Sequence, residues 1–384
     1  MKTVYLDNAA TTQIDKEVIL AMHESMIVNF GNPSSTHAFG RKAKAAVESA
    51  RKSIASLLNV QSSNIVFTSG GTEADNMAIS CAVRDLGVTR IISSRIEHHA
   101  VLNCLEFLDS QHKIDLQFVN LDEDGSVDTD HLESLLANDS AKTLVSLMHI
   151  NNEIGNILDL KTVGELCKTY GAYFHSDTVQ SVGHYEIDLS NLPVDFIAVS
   201  AHKFHGPKGT GFLYVKNRSQ LKPFIHGGSQ ERELRAGTES VHNIVGLQKA
   251  MEMAYSNLYE DSKYIRSLKK HFISRLEAEI PGVRFNGLSG DMEKSTYTLV
   301  NVSIPLSTSE CDMMLFQLDL KGIACSKGSA CQSGAQLGSF VLNEVYGEKL
   351  DYPGIRFSFS KFTTKAELDY VVSTLKTLAV SEVS

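Results

Sequence analysis

A chain of 384 residues with 42% hydrophobic and 21% charged residues can bury a large core, divided between two lobes. Its net charge of −9 argues against a surface built for nonspecific nucleic-acid binding. No apolar run approaches a membrane span, the N-terminus lacks a charged-then-apolar secretory pattern, and the six cysteines show neither C-x-x-C pairs nor His-rich metal spacing, so a cytoplasmic protein without membrane, metal or disulfide framework is expected.

From about residue 41 to residue 215, strand signals alternate with helical patterns. The first helical stripe is Val47, Ala50, Ile54 and Leu57, recurring at steps of three and four. A strand over residues 65–67 runs through Thr68-Ser69-Gly70-Gly71-Thr72-Glu73 into a helix from Ala74 to Leu86. Gly71 allows a tight turn there, and the helix start offers free N–H groups plus the Thr72 hydroxyl to a phosphate dianion; a Gly-Gly pair by itself is more often only a turn. Strands follow at 90–93, 144–148 and 172–174, the last leading into His175-Ser176-Asp177. An acid at the end of a buried strand needs a cationic or hydrogen-bonding partner, and a protonated pyridine nitrogen would be one; a helix N-cap is the alternative.

The run at 196–200 ends in Ser200-Ala201-His202-Lys203-Phe204-His205-Gly206-Pro207-Lys208-Gly209, before a strand at 211–215. A lysine at a strand end between two histidines is poorly explained as a solvated charge. Lysine can bind a carbonyl cofactor as a Schiff base, and cationic neighbours would lower its pKa. Helices between most of these strands imply a largely parallel, doubly covered α/β sheet, on which ligands sit at the carboxyl ends of strands. Thr72, Asn152, Asp177 and Lys203 all follow strand candidates closely. A phosphate cradle, a partner for a ring nitrogen and a lysine are together what pyridoxal 5'-phosphate requires.

Beyond residue 260 a charged helix over 261–280 ends at Pro281-Gly282. Strands at 283–285, 297–304 and 355–359, with helices near 309–320 and 364–378, read as a small α/β lobe.

The stretches Tyr5-Leu6-Asp7-Asn8-Ala9-Ala10-Thr11-Thr12, Gly31-Asn32-Pro33-Ser34-Ser35 with His37, Thr68 to Asn76, Glu97-His98-His99-Ala100-Val101-Leu102, Asn151-Asn152-Glu153-Ile154-Gly155, His226-Gly227-Gly228 with Glu231-Arg232, and Arg235-Ala236-Gly237-Thr238 resemble cysteine desulfurases of the NifS/IscS type. The resemblance runs from about residue 4 to about residue 380. It implies a pyridoxal-phosphate-dependent transferase of fold type I. A large cofactor-binding domain would span residues 13–259, and a small domain of 1–12 and 260–384 would carry a mobile catalytic loop at about 326–340. It further implies that His98 stacks on the pyridine ring and moves protons, Gln180 bonds the phenolic oxygen and Asn152 contacts cofactor and substrate. Ser200 and His202 would join Gly71 and Thr72 around the phosphate. Thr238 would reach the phosphate of a neighbouring subunit, which makes the protein a homodimer.

The segment Ser326-Lys327-Gly328-Ser329-Ala330-Cys331-Gln332-Ser333-Gly334 is too small and polar to pack a core, so Cys331 reads as an exposed thiol, and it matches the family's Gly-Ser-Ala-Cys motif. Cys81, Cys104 and Cys167 lie in apolar helical patterns and Cys325 in an apolar stretch, where cysteine acts as a small hydrophobe. Arg356, between apolar neighbours, would be costly unpaired; a substrate carboxylate bound bidentately would satisfy it, as would a buried structural ion pair. Where the family continues Gly-Arg-Phe-Thr, this chain has Ser360-Lys361-Phe362-Thr363, a departure that leaves Arg356 untouched. The expected activity is removal of sulfur from L-cysteine to give L-alanine and a persulfide on Cys331, passed to a protein acceptor such as an iron–sulfur scaffold, or used for tRNA thiolation. Selenocysteine lyase and a fold type I aminotransferase are the alternative enzymes. A noncatalytic sulfur-assembly scaffold is the alternative outside enzymes.

Overall fold

The computed structural model describes residues 3–138, 141–328, 339–347 and 352–381. In chain order its first part comprises β1 (Val4–Tyr5), α1 (Lys16–Val28), α2 (Ala38–Leu57), β2 (Ile65–Thr68), α3 (Gly71–Leu86), β3 (Arg90–Ser93), α4 (His99–Ser110), β4 (Asp115–Phe118), α5 (Thr129–Ala137), β5 (Thr143–Ser146), α6 (Leu160–Thr169), β6 (Tyr173–Asp177), β7 (Phe196–Ser200), β8 (Gly211–Val215) and α7 (Val241–Ser256). The second part adds α8 (Leu258–Glu279), β9 (Arg284–Phe285), β10 (Leu299–Ser303), α9 (Thr308–Leu320), β11 (Ile323–Ala324), α10 (Phe340–Tyr346), β12 (Gly354–Ser358) and α11 (Lys365–Ser381).

Seven strands form one sheet in the order β2-β8-β7-β6-β5-β3-β4. All neighbours are parallel except β8, which runs antiparallel to both β2 and β7. The period-2 alternation of side chains sorts each strand between two covered faces. Ile65, Phe67, Ile197, Val199, Phe212 and Tyr214 pack with α2, α6 and α7. Val66, Phe196, Ala198, Leu213 and Val215 point the other way, onto α3 and α4. On this second face β5 and β6 interrupt the apolar surface with Ser146, His175 and Asp177, all buried. Three polar side chains on adjacent strands inside a core need a chemical reason.

The second core packs α8, α9 and α11 on the antiparallel sheet β12-β10-β9. Phe272 of α8 meets Phe357 and Phe359 edge-on, at ring separations of 5.2 and 5.6 Å. Val4 and Leu6 belong to this core, and β1 pairs with β11 in parallel register.

The apolar runs bounded by turn residues yield the strands expected for them, with shifted ends. The strand expected at 172–174 extends to Asp177, so this acid lies in the last ladder position, with Asp177 opposite Ala198. Strands β1, β4 and β11 and helices α1, α7 and α10 were not expected. The edge strand β4 is half-exposed and starts at Asp115, which hides its alternation. In α1 the apolar residues Ile19, Leu20, Met26 and Ile27 are exposed, so they form no inward stripe. No helix among the described residues is long and apolar enough to cross a membrane.

Gly211 lies opposite Ser200 and Thr68, between β7 and β2. A Cβ there would stand 2.1 Å from the Val199 carbonyl oxygen, a backbone atom that cannot step aside. Gly211→Ala is therefore expected to lower the free energy of unfolding by about 3 kcal/mol, read from urea melts against Gly87→Ala as the comparison.

Candidate active site

The carboxyl ends of β2, β6 and β7 converge on a cavity of about 200 Å³. It is lined by Gly71, Thr72, His98, Asn152, Asp177, Gln180, Ser200, His202, Lys203 and Arg356, ten of the twelve residues singled out from sequence. Of the other two, Thr238 is exposed on a surface turn away from this lining. Cys331 lies outside the described residues.

Each side chain is placed by local chain chemistry. Helix α3 starts at Gly71 behind an N-cap glycine, Gly70, at φ 150°, which supplies no side-chain cap. The first N–H groups of α3 are thus free to receive an anion, with Ser200 close by: a Cβ on Gly71 would lie 3.8 Å from the Ser200 Cβ. His98 is the N-cap of α4; its Nδ1 accepts from the Ala100 N–H at 3.1 Å, which puts the neutral ring's proton on Nε2. Asp177 Oδ1 accepts from the Val179 N–H at 2.9 Å.

Lys203 closes the short helical turn Ala201–Lys203 after β7. Its Nζ donates to the carbonyls of Ala9 at 2.6 Å and Ala10 at 2.9 Å, and Gln180 Nε2 donates to the same Ala9 oxygen at 2.9 Å. Thr12 fastens the segment from the other side, its N–H and hydroxyl both donating to the His202 carbonyl at 2.9 Å. The histidines beside Lys203 do not crowd it with charge. Burial pushes His202 down to about 4, helped by Lys203 and Lys208, and His205 turns its Nδ1 to the Gln13 carbonyl at 2.8 Å.

Arg356, in the middle of β12, is 1% exposed. Nη1 donates to the Asn152 carbonyl at 2.7 Å and Nη2 to Asp7 Oδ1 at 3.0 Å, while Nε has no partner. Both readings of this arginine meet in one residue: a buried ion pair with Asp7, and a side chain that lines the cavity. Its Nε is shut off from solvent without an acceptor, at a cost of the order of 1–3 kcal/mol.

Burial governs the charges beneath the cavity. It raises Asp177, against the opposing pull of His98 and Lys203. It lowers His98, with Lys203 and His99 adding to the effect and Asp177 opposing it. It pushes Glu97 up to about 8, despite hydrogen bonds from Met148 N at 2.8 Å and Ser94 Oγ at 3.1 Å. Among the described cysteines no thiol is activated: burial raises Cys81 to about 12 and Cys311 to about 11, and raises Cys104, Cys167 and Cys325 as well.

The residues fit a phosphorylated pyridine aldehyde. The uncapped helix start, Thr72, Ser200 and His202 suit a phosphate, Asp177 suits a protonated ring nitrogen, and Lys203 suits the carbonyl. Sequence reasoning missed Asp7, Ala9, Ala10 and Asp75, although the first three sit in the stretch from Tyr5 to Thr12 and the last in the stretch from Thr68 to Asn76, both singled out as motifs. Nothing in the first stretch signals that its carbonyls, rather than its side chains, face the lysine.

Residues 4–371 match the family model "Aminotransferase class-V". The chain belongs to this family. A cysteine desulfurase IscS of Dictyoglomus turgidum is 40% identical over 378 residues, covering 98% of this chain and 94% of that protein. A solved NifS-like protein superposes with a TM-score of 0.89 at 33% identity, over 98% of this chain and 99% of the other. SspA, solved in complex with cysteine, gives a TM-score of 0.80 at 30% identity, over 94% and 100% of the two chains. As a class-V aminotransferase-family protein, the chain has the fold type I architecture, and its cofactor is pyridoxal 5'-phosphate.

Glu97 gives a pH test of this buried electrostatics. Its carboxyl is raised from 4.5 to about 8, so the folded state keeps a proton that the unfolded chain releases, and stability from this group falls as pH rises across that window. Glu97→Gln removes this penalty. The stability of the variant relative to the parent should therefore grow by up to about 1.4 kcal/mol per pH unit between pH 5 and 8, then level off, in urea melts run across that range.

Proposed function

We propose that the chain is a pyridoxal-phosphate-dependent cysteine desulfurase that moves the sulfur of L-cysteine onto Cys331 and releases L-alanine. The observation that carries the site assignment is the convergence of Lys203, Asp177, His98 and Arg356 on one cavity from three sheet positions and a helix cap.

When bound, the cofactor supplies an electron sink for the carbanion formed at the substrate Cα. The protein's own groups do the rest. The Arg356 guanidinium, which lines the cavity with Asn152, takes the substrate carboxylate and fixes its orientation. Asp177 would pair its negative charge with a protonated ring nitrogen. Lys203 Nζ, once released from its covalent role, takes the Cα proton. His98 presents Nε2–H to the cavity and returns a proton to the product carbon. The Cys331 thiolate attacks the substrate sulfur: an S–S bond forms, the C–S bond breaks, and its electron pair stays with the carbon that becomes the alanine methyl group.

The described residues on either side of the segment that holds Cys331 sit at the cavity. Ser326 forms a bridge with Arg356, its carbonyl accepting the Arg356 N–H at 2.7 Å. On the far side, Ser339 Oγ donates to Glu153, next to Asn152, and the Phe340 ring packs on His99 at 4.4 Å, next to His98. The raised thiol pKa values of the five described cysteines support the same assignment.

The reading extends to a homodimer with lobes at residues 13–259 and 1–12 plus 260–384. Ile19, Leu20, Met26, Ile27, Phe30 and Phe39 form an exposed apolar surface on α1, α2 and their connection, which suits a second copy. Ser34 accepts from Gln230 Nε2 at 3.2 Å, so this surface continues into the segment that carries the exposed Thr238. Onward transfer of the persulfide to a protein acceptor such as an iron–sulfur scaffold, in a cytoplasmic setting that keeps thiols free, completes the proposal.

The test is turnover of L-cysteine by the cofactor-loaded protein with a reductant, following alanine and sulfide. Equal yields of both, falling at least about 1,000-fold in Cys331→Ser, are expected. Turnover that survives the substitution overturns the persulfide step. Re-amination of a 2-oxo acid by the variant favours an aminotransferase, and faster turnover of selenocysteine than of cysteine, independent of Cys331, favours the lyase.

A further inference from the structure

Asp177 is not the only acid under the cavity. Asp75 sits one helical turn after Thr72 on α3, lines the same cavity and is 1% exposed. Its Oδ1 stands 3.3 Å from His175 Nε2. Neither atom has another polar partner, and both are shut off from solvent. His175 is two residues before Asp177 on β6, so the two side chains leave the same face of the sheet. The other ring nitrogen, Nδ1, lies 2.9 Å from Ser146 Oγ on the neighbouring strand.

We infer that Asp75 and His175 share a single buried proton, carried by Asp75, and that this neutral pair is a positioning device for Asp177. The inference deepens the proposed function and rests on Asp177 as the partner of the ring nitrogen. Two unprotonated atoms facing each other at this distance would leave opposed lone pairs inside the core, and a charged pair would set a second carboxylate beside Asp177. With the proton on Asp75, the hydroxyl donates to Nε2, and Nδ1–H donates to Ser146 Oγ. Every buried atom of the pair is then satisfied.

The surroundings agree with this state. Burial, then the charge of Asp177, raises Asp75 well above the usual carboxylate range, and burial alone pushes His175 down to about 3. The groups facing Asp75 are Asp177 and His175 from β6, Glu97 from the entry to α4 and Cys104 from α4, with His98 and Lys203 acting on Asp177 beyond it. Glu97, raised to about 8, is itself neutral at pH 7. Asp177 is left as the single site for negative charge, opposed by His98 and Lys203.

Two measurements test the pair. In cofactor-free protein labelled with 15N-histidine, His175 is expected as the neutral Nδ1–H tautomer from pH 6 to 9; a proton on Nε2 overturns the inference, whatever the cofactor does. In protein loaded with pyridoxal phosphate, the pH midpoint of the visible absorption change is read for the parent, Asp75→Asn and Asp75→Ala. Asp75→Asn exchanges one neutral donor for another and should leave the midpoint in place. Asp75→Ala strands Nε2 and lets Asp177 drift from the ring, which should raise the midpoint by about one unit and speed cofactor release about tenfold. A drop of about one unit in Asp75→Asn would mean an ionised Asp75 and overturn the inference, as would an alanine variant identical to the parent. A parent protein that acquires no visible band overturns the cofactor-site reading instead, leaving the histidine tautomer to decide the pair.

Discussion

The capture of the Lys203 ammonium by two backbone carbonyls, at 2.6 and 2.9 Å, organises everything around the cavity. Those carbonyls belong to Ala9 and Ala10, on a segment that has no regular structure of its own. It is held at one end by β1, parallel to β11, and by Asp7 on Arg356; it is held at the other by Thr12 on the His202 carbonyl. The segment therefore ties the antiparallel sheet to the turn after β7. An arginine from one sheet and a lysine from the other are kept at one cavity because seven residues of chain run between them, satisfying both.

A second segment grips the opposite side of the cavity and is strained. Glu231, Arg232 and Glu233 are three successive non-glycine residues with φ of 45°, 55° and 71°. Each such residue costs on the order of 1–3 kcal/mol and persists only where its surroundings over-determine it. Here the determinant is buried: Glu231 takes two hydrogen bonds from Arg51, at 2.7 and 2.9 Å, and one from the Phe67 N–H at 2.9 Å. The Arg51 guanidinium also lies 4.5 Å over the Phe67 ring. A few residues on, Arg235 pairs with Glu73 at 2.7 Å, in the first turn of α3. The strand before the anion-binding turn and the turn itself are thus both clamped by one irregular segment, so the free N–H groups of α3 keep their aim without a side-chain cap.

What was legible in the sequence follows from the kind of interaction involved. Thr72, Asp177 and Lys203 could be placed because a parallel sheet delivers the ends of its strands to one edge, and those ends are marked by apolar runs giving way to small or polar residues. The bond between Lys203 and Ala9 carries no such mark, since the acceptor is backbone and any residue offers it. Arg356 read as either a substrate anchor or an ion pair because nothing local distinguishes a guanidinium with all its donors used from one with Nε left over. His175 looked like a neighbour of Asp177 and nothing more; only the pleat and the approach of α3 set it against Asp75. Helix α1 and strand β4 escaped notice because most apolar residues of α1 are exposed, Val18 being the buried exception, and β4 is half-exposed at the sheet edge.

The charge pattern of the site has a direction. Buried acids at Asp75, Glu97 and Asp177 and buried histidines at His98, His175 and His202 are all pushed by desolvation toward their neutral forms. In such an environment a charge survives only where a partner of opposite sign faces it across a short, dry gap. Asp177 meets that condition through Lys203, and Arg356 meets it through Asp7. Under the proposed function, a positive ring, an anionic phosphate and a substrate carboxylate would each meet one matching group, while the neighbouring acids and histidines are pushed toward neutrality. Selectivity for that combination follows from the neutrality of the surrounding groups as much as from the three charged contacts themselves.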